Sequence, residues 1–181
     1  MNRTELLEKI QRIDENIFFS GKVKPGSRAE VVIVGASALL LCDLSKKNAT
    51  KDVDVLKVEQ SIRQFVFDDR DFNNQCSAYS QCLPYNFEDR LMKIELETYV
   101  IDVYVPSIED MAVMKLYRWE EPDKIDLTAQ EFLAQLNWPL LEHLVYSPDE
   151  AAASRTADPE KDRELRNLRF KYKEYEERWR K

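Results

Sequence analysis

Asp52 and Asp54 stand two apart in the run Asp52-Val53-Asp54-Val55-Leu56-Lys57-Val58, and Asp102 interrupts the apolar run between Tyr99 and Val105. In an extended chain, residues i and i+2 point to the same face. The first two carboxylates would therefore sit side by side, where they repel each other when ionised. A divalent cation relieves that repulsion, and magnesium prefers oxygen ligands of this kind. An Asp-x-Asp is also common at exposed strand ends, so the spacing alone leaves both readings open. Asp102 poses a similar choice, because an ionised carboxylate inside an apolar strand is costly to bury without compensation. Either it faces solvent on a one-sided sheet, or it lies beside Asp52 and Asp54 on a neighbouring strand. In the second arrangement three carboxylates would bind magnesium, activate an acceptor hydroxyl and stabilise a leaving pyrophosphate, with Asp102 as general base.

These residues need strands and turns to hold them. Thr4 to Ile17 reads as an amphipathic helix, with Leu6, Ile10, Ile13 and Ile17 at helical steps and Asn2 and Glu5 spaced as a capping box. Glu30 to Val34 reads as a buried strand, ended by Gly35, with a helix from Ala36 to Leu44. That strand-to-helix turn, Gly35-Ala36-Ser37, would expose backbone N–H groups and a hydroxyl to phosphate. Strand–helix junctions use such a glycine for the turn alone, so this signal also has an ordinary reading. Asp52 to Val58 is a second strand, Ser61 to Phe72 a helix, Asn73 to Pro84 a loop and Leu91 to Leu96 an edge strand. Thr98 to Val105 carries the clearest strand signal, and Ser107 caps a helix running to about Trp119. Lys124 to Leu136 and Pro139 to Val145 are further helices. Ser147 to Pro159 reads as a linker, with Asp158-Pro159 starting a charged helix from Glu160 to Lys181. Its apolar residues Leu165, Leu168, Tyr172, Tyr175 and Trp179 form a seam, which suits docking on its own domain or on a partner.

The segments Gly35-Ala36-Ser37-Ala38-Leu39 and Thr50-Lys51-Asp52-Val53-Asp54 resemble the Gly-Gly-Thr/Ser-Ala-Leu and Thr-x-Asp-Ile-Asp motifs of polymerase-β-type nucleotidyltransferases. The likeness is to the AbiEii-like toxins of type IV toxin–antitoxin systems, and it spans roughly residues 30 to 130. It extends to Lys115-Leu116 and to Pro122-Asp123-Lys124-Ile125-Asp126-Leu127, similar to the Lys-Leu and Lys-Asp-x-x-Asp-Leu elements of that group. The resemblance implies an α+β, polymerase-β-like fold: a mixed sheet flanked by helices, with a C-terminal helical appendage. It implies a domain over residues 1–146, followed by a linker and charged helix over 147–181. It further implies Mg2+, a nucleoside triphosphate, transfer to a hydroxyl acceptor such as a tRNA 3′ end, and an antitoxin partner. Asp52, Asp54 and Asp102 would then be metal ligands, with Gly35, Ala36 and Ser37 around the phosphates. Lys115 would contact the triphosphate, and Asp123 or Asp126 would orient that lysine or the acceptor. Two positions depart from the pattern. Ala36 replaces the second glycine, and Lys46 and Lys47 stand where many relatives carry an arginine.

Composition narrows the alternatives. A formal charge of −7 disfavours tight nonspecific nucleic-acid binding, while Lys46, Lys47 and Lys51 offer a local positive rim. The single histidine, His143, lies in an apolar segment far from any candidate partner, which argues against a histidine-based triad, and Cys42, Cys76 and Cys82 lack zinc spacing. Three unpaired cysteines and a charged N-terminal helix with no apolar signal core fit a cytoplasmic protein. The longest apolar run, Val31 to Cys42, falls short of a membrane span of about 20 residues. Two other readings stand beside the enzyme that acts on RNA. One is a non-catalytic member that binds nucleotide or protein. The other is a small-molecule, antibiotic-type nucleotidyltransferase, whose cationic substrates the acidic balance would attract.

Overall fold

The computed structural model describes residues 1–24, 26–147, 149–150 and 163–180. The chain divides into two compact units: Met1–Ser77 with Leu91–Pro106, and Ala78–Arg90 with Ser107–Lys181. The architecture is α+β, with a mixed sheet and flanking helices in the first unit and helices in the second.

In the first unit, the described residues form a five-stranded sheet of order β3-β2-β1-β5-β4. The strands are β1 (Ala29–Val34), β2 (Val53–Val58), β3 (Phe72–Asn73), β4 (Met92–Lys93) and β5 (Ile101–Val105). β1 pairs antiparallel with β2 and parallel with β5, so the central strand is flanked by the two strands bearing the aspartates. Val31, Val32, Ile33 and Val34 are all buried, as a continuous β-branched run in a central strand should be. Helix α1 (Arg3–Ser20) buries Leu6, Ile10, Ile13 and Ile17, and its expected capping box between Asn2 and Glu5 is formed. Helices α2 (Gly35–Leu41) and α3 (Arg63–Asp68) complete the unit. The helix expected over Ser61 to Phe72 is shorter, because Phe72 joins β3 beside Val53 and buries its ring there. The expected edge strand at Leu91 to Leu96 pairs over Met92 and Lys93 only.

Asp14, on the core side of α1, is 1% exposed. Its carboxylate accepts the backbone N–H groups of Tyr99, Val100 and Ile101 at 2.6, 2.9 and 2.9 Å. Three donors on one ionised acceptor compensate its burial and bind the helix to the start of β5.

The second unit contains α4 (Ile108–Arg118), α5 (Glu121–Leu127), α6 (Gln130–Gln135), α7 (Trp138–Tyr146) and α8 (Arg163–Trp179). Ser107 caps α4 by accepting the Asp110 N–H, as its position implied. The single helix expected over Lys124 to Leu136 is two helices, parted where the Thr128 hydroxyl donates to the Lys124 carbonyl. Helix α8 packs against α4 and α7, so its seam docks within its own unit. Leu165, Leu168, Tyr172 and Tyr175 are buried, and Trp179 remains partly exposed. Most of the expected linker, including Asp158-Pro159, lies outside the described residues.

Asp14→Ala leaves three backbone N–H groups, two of them buried, without this acceptor and should cost roughly 3 kcal/mol in urea denaturation. Asp14→Asn keeps the oxygen that serves Val100 and Ile101 and should lose about half as much.

Candidate active site

Asp52 immediately precedes β2 and is exposed, while Asp54 lies within it and is half-buried. Val53 and Val55 are buried, so Asp54 lies on the opposite face of β2, with the exposed Asp52 two residues before it. Asp54 pairs across the ladder with Val34, the last residue of β1. The chain then turns through Gly35 at φ +72°, a left-handed conformation that glycine adopts without strain. A Cβ at Gly35 would lie 2.8 Å from Oδ2 of Asp54. The turn therefore leaves its α-carbon bare against a carboxylate oxygen, at the point where α2 begins.

The loop leading to this pair is fastened twice. Met1 and Thr50 exchange backbone hydrogen bonds, each of 2.9 Å. The Thr50 hydroxyl donates to the Asp52 carbonyl at 2.9 Å. Lys46, Lys47 and Lys51 are exposed in the same loop, as a positive rim requires. Cys76, outside the expected motif, is buried with its thiol pushed up to about 11, first by burial and then by the negative charge of Asp54. It is a neutral neighbour of the site at physiological pH.

The other expected phosphate contacts are arranged differently. Ser37 is buried, and its hydroxyl donates to the Val34 carbonyl at 2.9 Å. That bond caps the end of β1 and turns the hydroxyl inward. Ala36 is half-buried at the same turn.

Asp102 does not join Asp52 and Asp54. It pairs with Glu30 at the start of β1, four positions from the Val34 that faces Asp54. At about 3.3 Å per residue, the offset along β1 is roughly 13 Å. Instead, Asp102 accepts from Arg28 Nε at 2.7 Å and contacts Lys93 Nζ at 2.9 Å. The same arginine donates to the carbonyls of Thr98, Tyr99 and Ile101. Burial pushes the Asp102 carboxyl up, but the hydrogen bonds from Lys93 and Arg28 outweigh it and hold it below the usual carboxylate range. A carboxylate so stabilised is a weak proton acceptor. The expected convergence of three carboxylates is thus replaced by a pair and a separate ion cluster. Among the described residues, no three acidic, histidine or cysteine side chains gather as a metal cluster.

In the second unit, Lys115 and Arg118 lie one turn apart on α4 and face Asp123 and Asp126, one turn apart on α5. Lys115 Nζ contacts Asp126 at 2.8 Å and Asp123 at 3.4 Å. Arg118 makes two bonds of 3.1 Å to Asp123. Lys115, Asp123 and Asp126 are all at most 3% exposed, so the lysine expected at the triphosphate is held by the carboxylates expected to orient it. Oδ1 of Asp126 is buried with no hydrogen-bond partner among the described residues. Arg118 was not anticipated, although its three-residue spacing from Lys115 mirrors that of Asp123 and Asp126.

Lys115→Met would strand the buried Asp126 carboxylate, while Asp123 keeps Arg118, and should cost about 3–5 kcal/mol. Adding Asp126→Asn should recover part of that loss in the same denaturation assay. Asp102 has a lowered folded pKa, so its stabilisation is present above its ordinary value of 3.8 and is lost as pH falls through the folded value. The stability gap between the parent and Asp102→Asn should therefore be widest near neutrality and narrow below about pH 4, as followed by urea midpoints.

No curated protein and no solved structure matches the chain. A family model does, over residues 8–180, spanning both units from α1 to the end of α8. The chain belongs to the family described as nucleotidyltransferase of unknown function (DUF6036).

Proposed function

We propose that this member transfers a nucleoside monophosphate from a nucleoside triphosphate to a hydroxyl acceptor, with magnesium held by Asp52 and Asp54. The observation that carries the reading is the contact between Asp54 and Gly35. The carboxylate lies against the bare α-carbon of the turn, two residues after the exposed Asp52. Two like charges so placed suit a shared cation. Bound magnesium would neutralise triphosphate charge and polarise the phosphorus under attack. The chain's own part is to fix the two oxygens through the Thr50 loop, to leave room at Gly35, and to offer Lys46, Lys47 and Lys51 to the polyphosphate.

The likeness to AbiEii-type toxins extends the proposal to a tRNA acceptor and to restraint by an antitoxin. A panel of tRNA and aminoglycoside acceptors distinguishes the RNA-directed enzyme from the small-molecule one. A second reading, nucleotide binding without turnover, is favoured by the inward hydroxyl of Ser37, the sealed Lys115 and the displacement of Asp102.

Asp52→Ala or Asp54→Ala should reduce magnesium-dependent transfer of labelled nucleotide by at least about a hundredfold while circular dichroism stays unchanged. Transfer at the parental rate in either variant would refute the assignment. Nucleotide binding by calorimetry with no transfer to any acceptor would favour the second reading. Gly35→Ala, which drives a methyl into Asp54 and requires a positive φ, should weaken Mn2+ binding about tenfold or more by electron paramagnetic resonance.

A further inference from the structure

Helix α1 ends in Ile17-Phe18-Phe19, and only the first of these belongs to its buried stripe. At about 100° per residue, the next two positions rotate away from the core. Phe18 is 47% exposed and Phe19 81%. Tyr99, just before β5, is 61% exposed and stacks on Phe18 with ring centroids 4.8 Å apart. Phe18 in turn meets Phe19 edge-on at 5.4 Å. Single exposed apolar residues are ordinary, but a contiguous patch of three rings marks an interaction site.

The patch borders a groove of about 660 Å³ within the first unit, lined by residues that include Gln11, Glu15, Lys93, Glu97 and Tyr99. Arg28 and Lys93 are the cations of this groove, and both are engaged by Asp102. Arg28 also spends its remaining N–H groups on Thr98, Tyr99 and Ile101. Asp14, at the base, is turned to three backbone N–H groups. Lys93 and Arg28 remain partly exposed, but they share the one Asp102 carboxylate, and with Asp14 and the exposed Glu15 and Glu97 the carboxylates outnumber them, so the groove is net acidic.

We infer that this face docks a protein segment that sets apolar side chains on Phe18, Phe19 and Tyr99 and directs lysine or arginine toward Glu15 and Glu97. The occupant is defined by charge complementarity. A second copy would bring the same carboxylates together, and a nucleic acid would bring phosphates to them. The rings cost little conformational entropy to immobilise, as suits interface anchors. The inference rests on the first unit alone and is independent of the proposed activity.

The test titrates the purified full chain with a fluorescent peptide alternating leucine and arginine, read by anisotropy. The same peptide with glutamate for arginine, and a single-stranded RNA, serve as comparisons. The basic peptide should bind best, and binding should weaken about tenfold or more in Phe19→Ala/Tyr99→Ala. Glu15→Lys/Glu97→Lys should weaken it by a similar factor, and added salt should oppose binding in the parent. Four results would overturn the inference. These are no binding of the basic peptide, equal binding of the acidic one, affinity unchanged in both variants, or tighter binding of the RNA. Self-association of the parent that is lost in Phe19→Ala would overturn it too, by assigning the face to a second copy.

Discussion

The candidate site depends on an approach too close for any side chain. Oδ2 of Asp54 occupies the space beside the Gly35 α-carbon, 2.8 Å from where a Cβ would stand. Antiparallel pairing sets this approach by placing Asp54 opposite Val34, the last residue before the turn. The positive φ at Gly35 then sends the chain directly into α2, so that strand end, turn and carboxylate meet. The bonds of Thr50 to Met1 and to the Asp52 carbonyl fasten the loop that leads into this strand.

Asp52 is exposed and Asp54 half-buried, and a cation between them would relieve their mutual repulsion. Several acidic groups of the molecule are compensated internally. Asp14 takes three backbone N–H groups, Asp102 takes Arg28 and Lys93, and Asp123 and Asp126 take Lys115 and Arg118. Asp110 likewise receives two bonds from Arg90 within the second unit. Buried pairs of this kind add little net stability over apolar packing, yet removing one partner is costly. They fix the ends of β5, α4 and α5 more than they strengthen the fold.

Much of this was legible in the sequence because it is local. The valine and isoleucine runs of β1 and β5 announce buried strands, the Asn2–Glu5 box marks the start of α1, and the steps from Leu165 to Tyr175 give the buried face of α8. The outward position of Asp54 follows from alternation with the buried Val53 and Val55. What was not legible is long-range. Asp102 was placed on the right strand, but its distance from Asp54 is set by the register of β5 on β1, which no local pattern records. Phe72 looked like the end of a helix because a two-residue strand carries too little pattern to declare itself. The inward turn of Ser37 and the sealing of Lys115 depend on which acceptors the fold brings near them.

The most direct test is a crystal of the chain soaked with Mn2+ and a non-hydrolysable nucleoside triphosphate, examined by anomalous diffraction. The account predicts a metal peak bridging the Asp52 and Asp54 carboxylates and the triphosphate, at about 2.0–2.2 Å from the oxygens. Nucleotide bound with no metal at this pair, or metal held instead at Asp102, would contradict it.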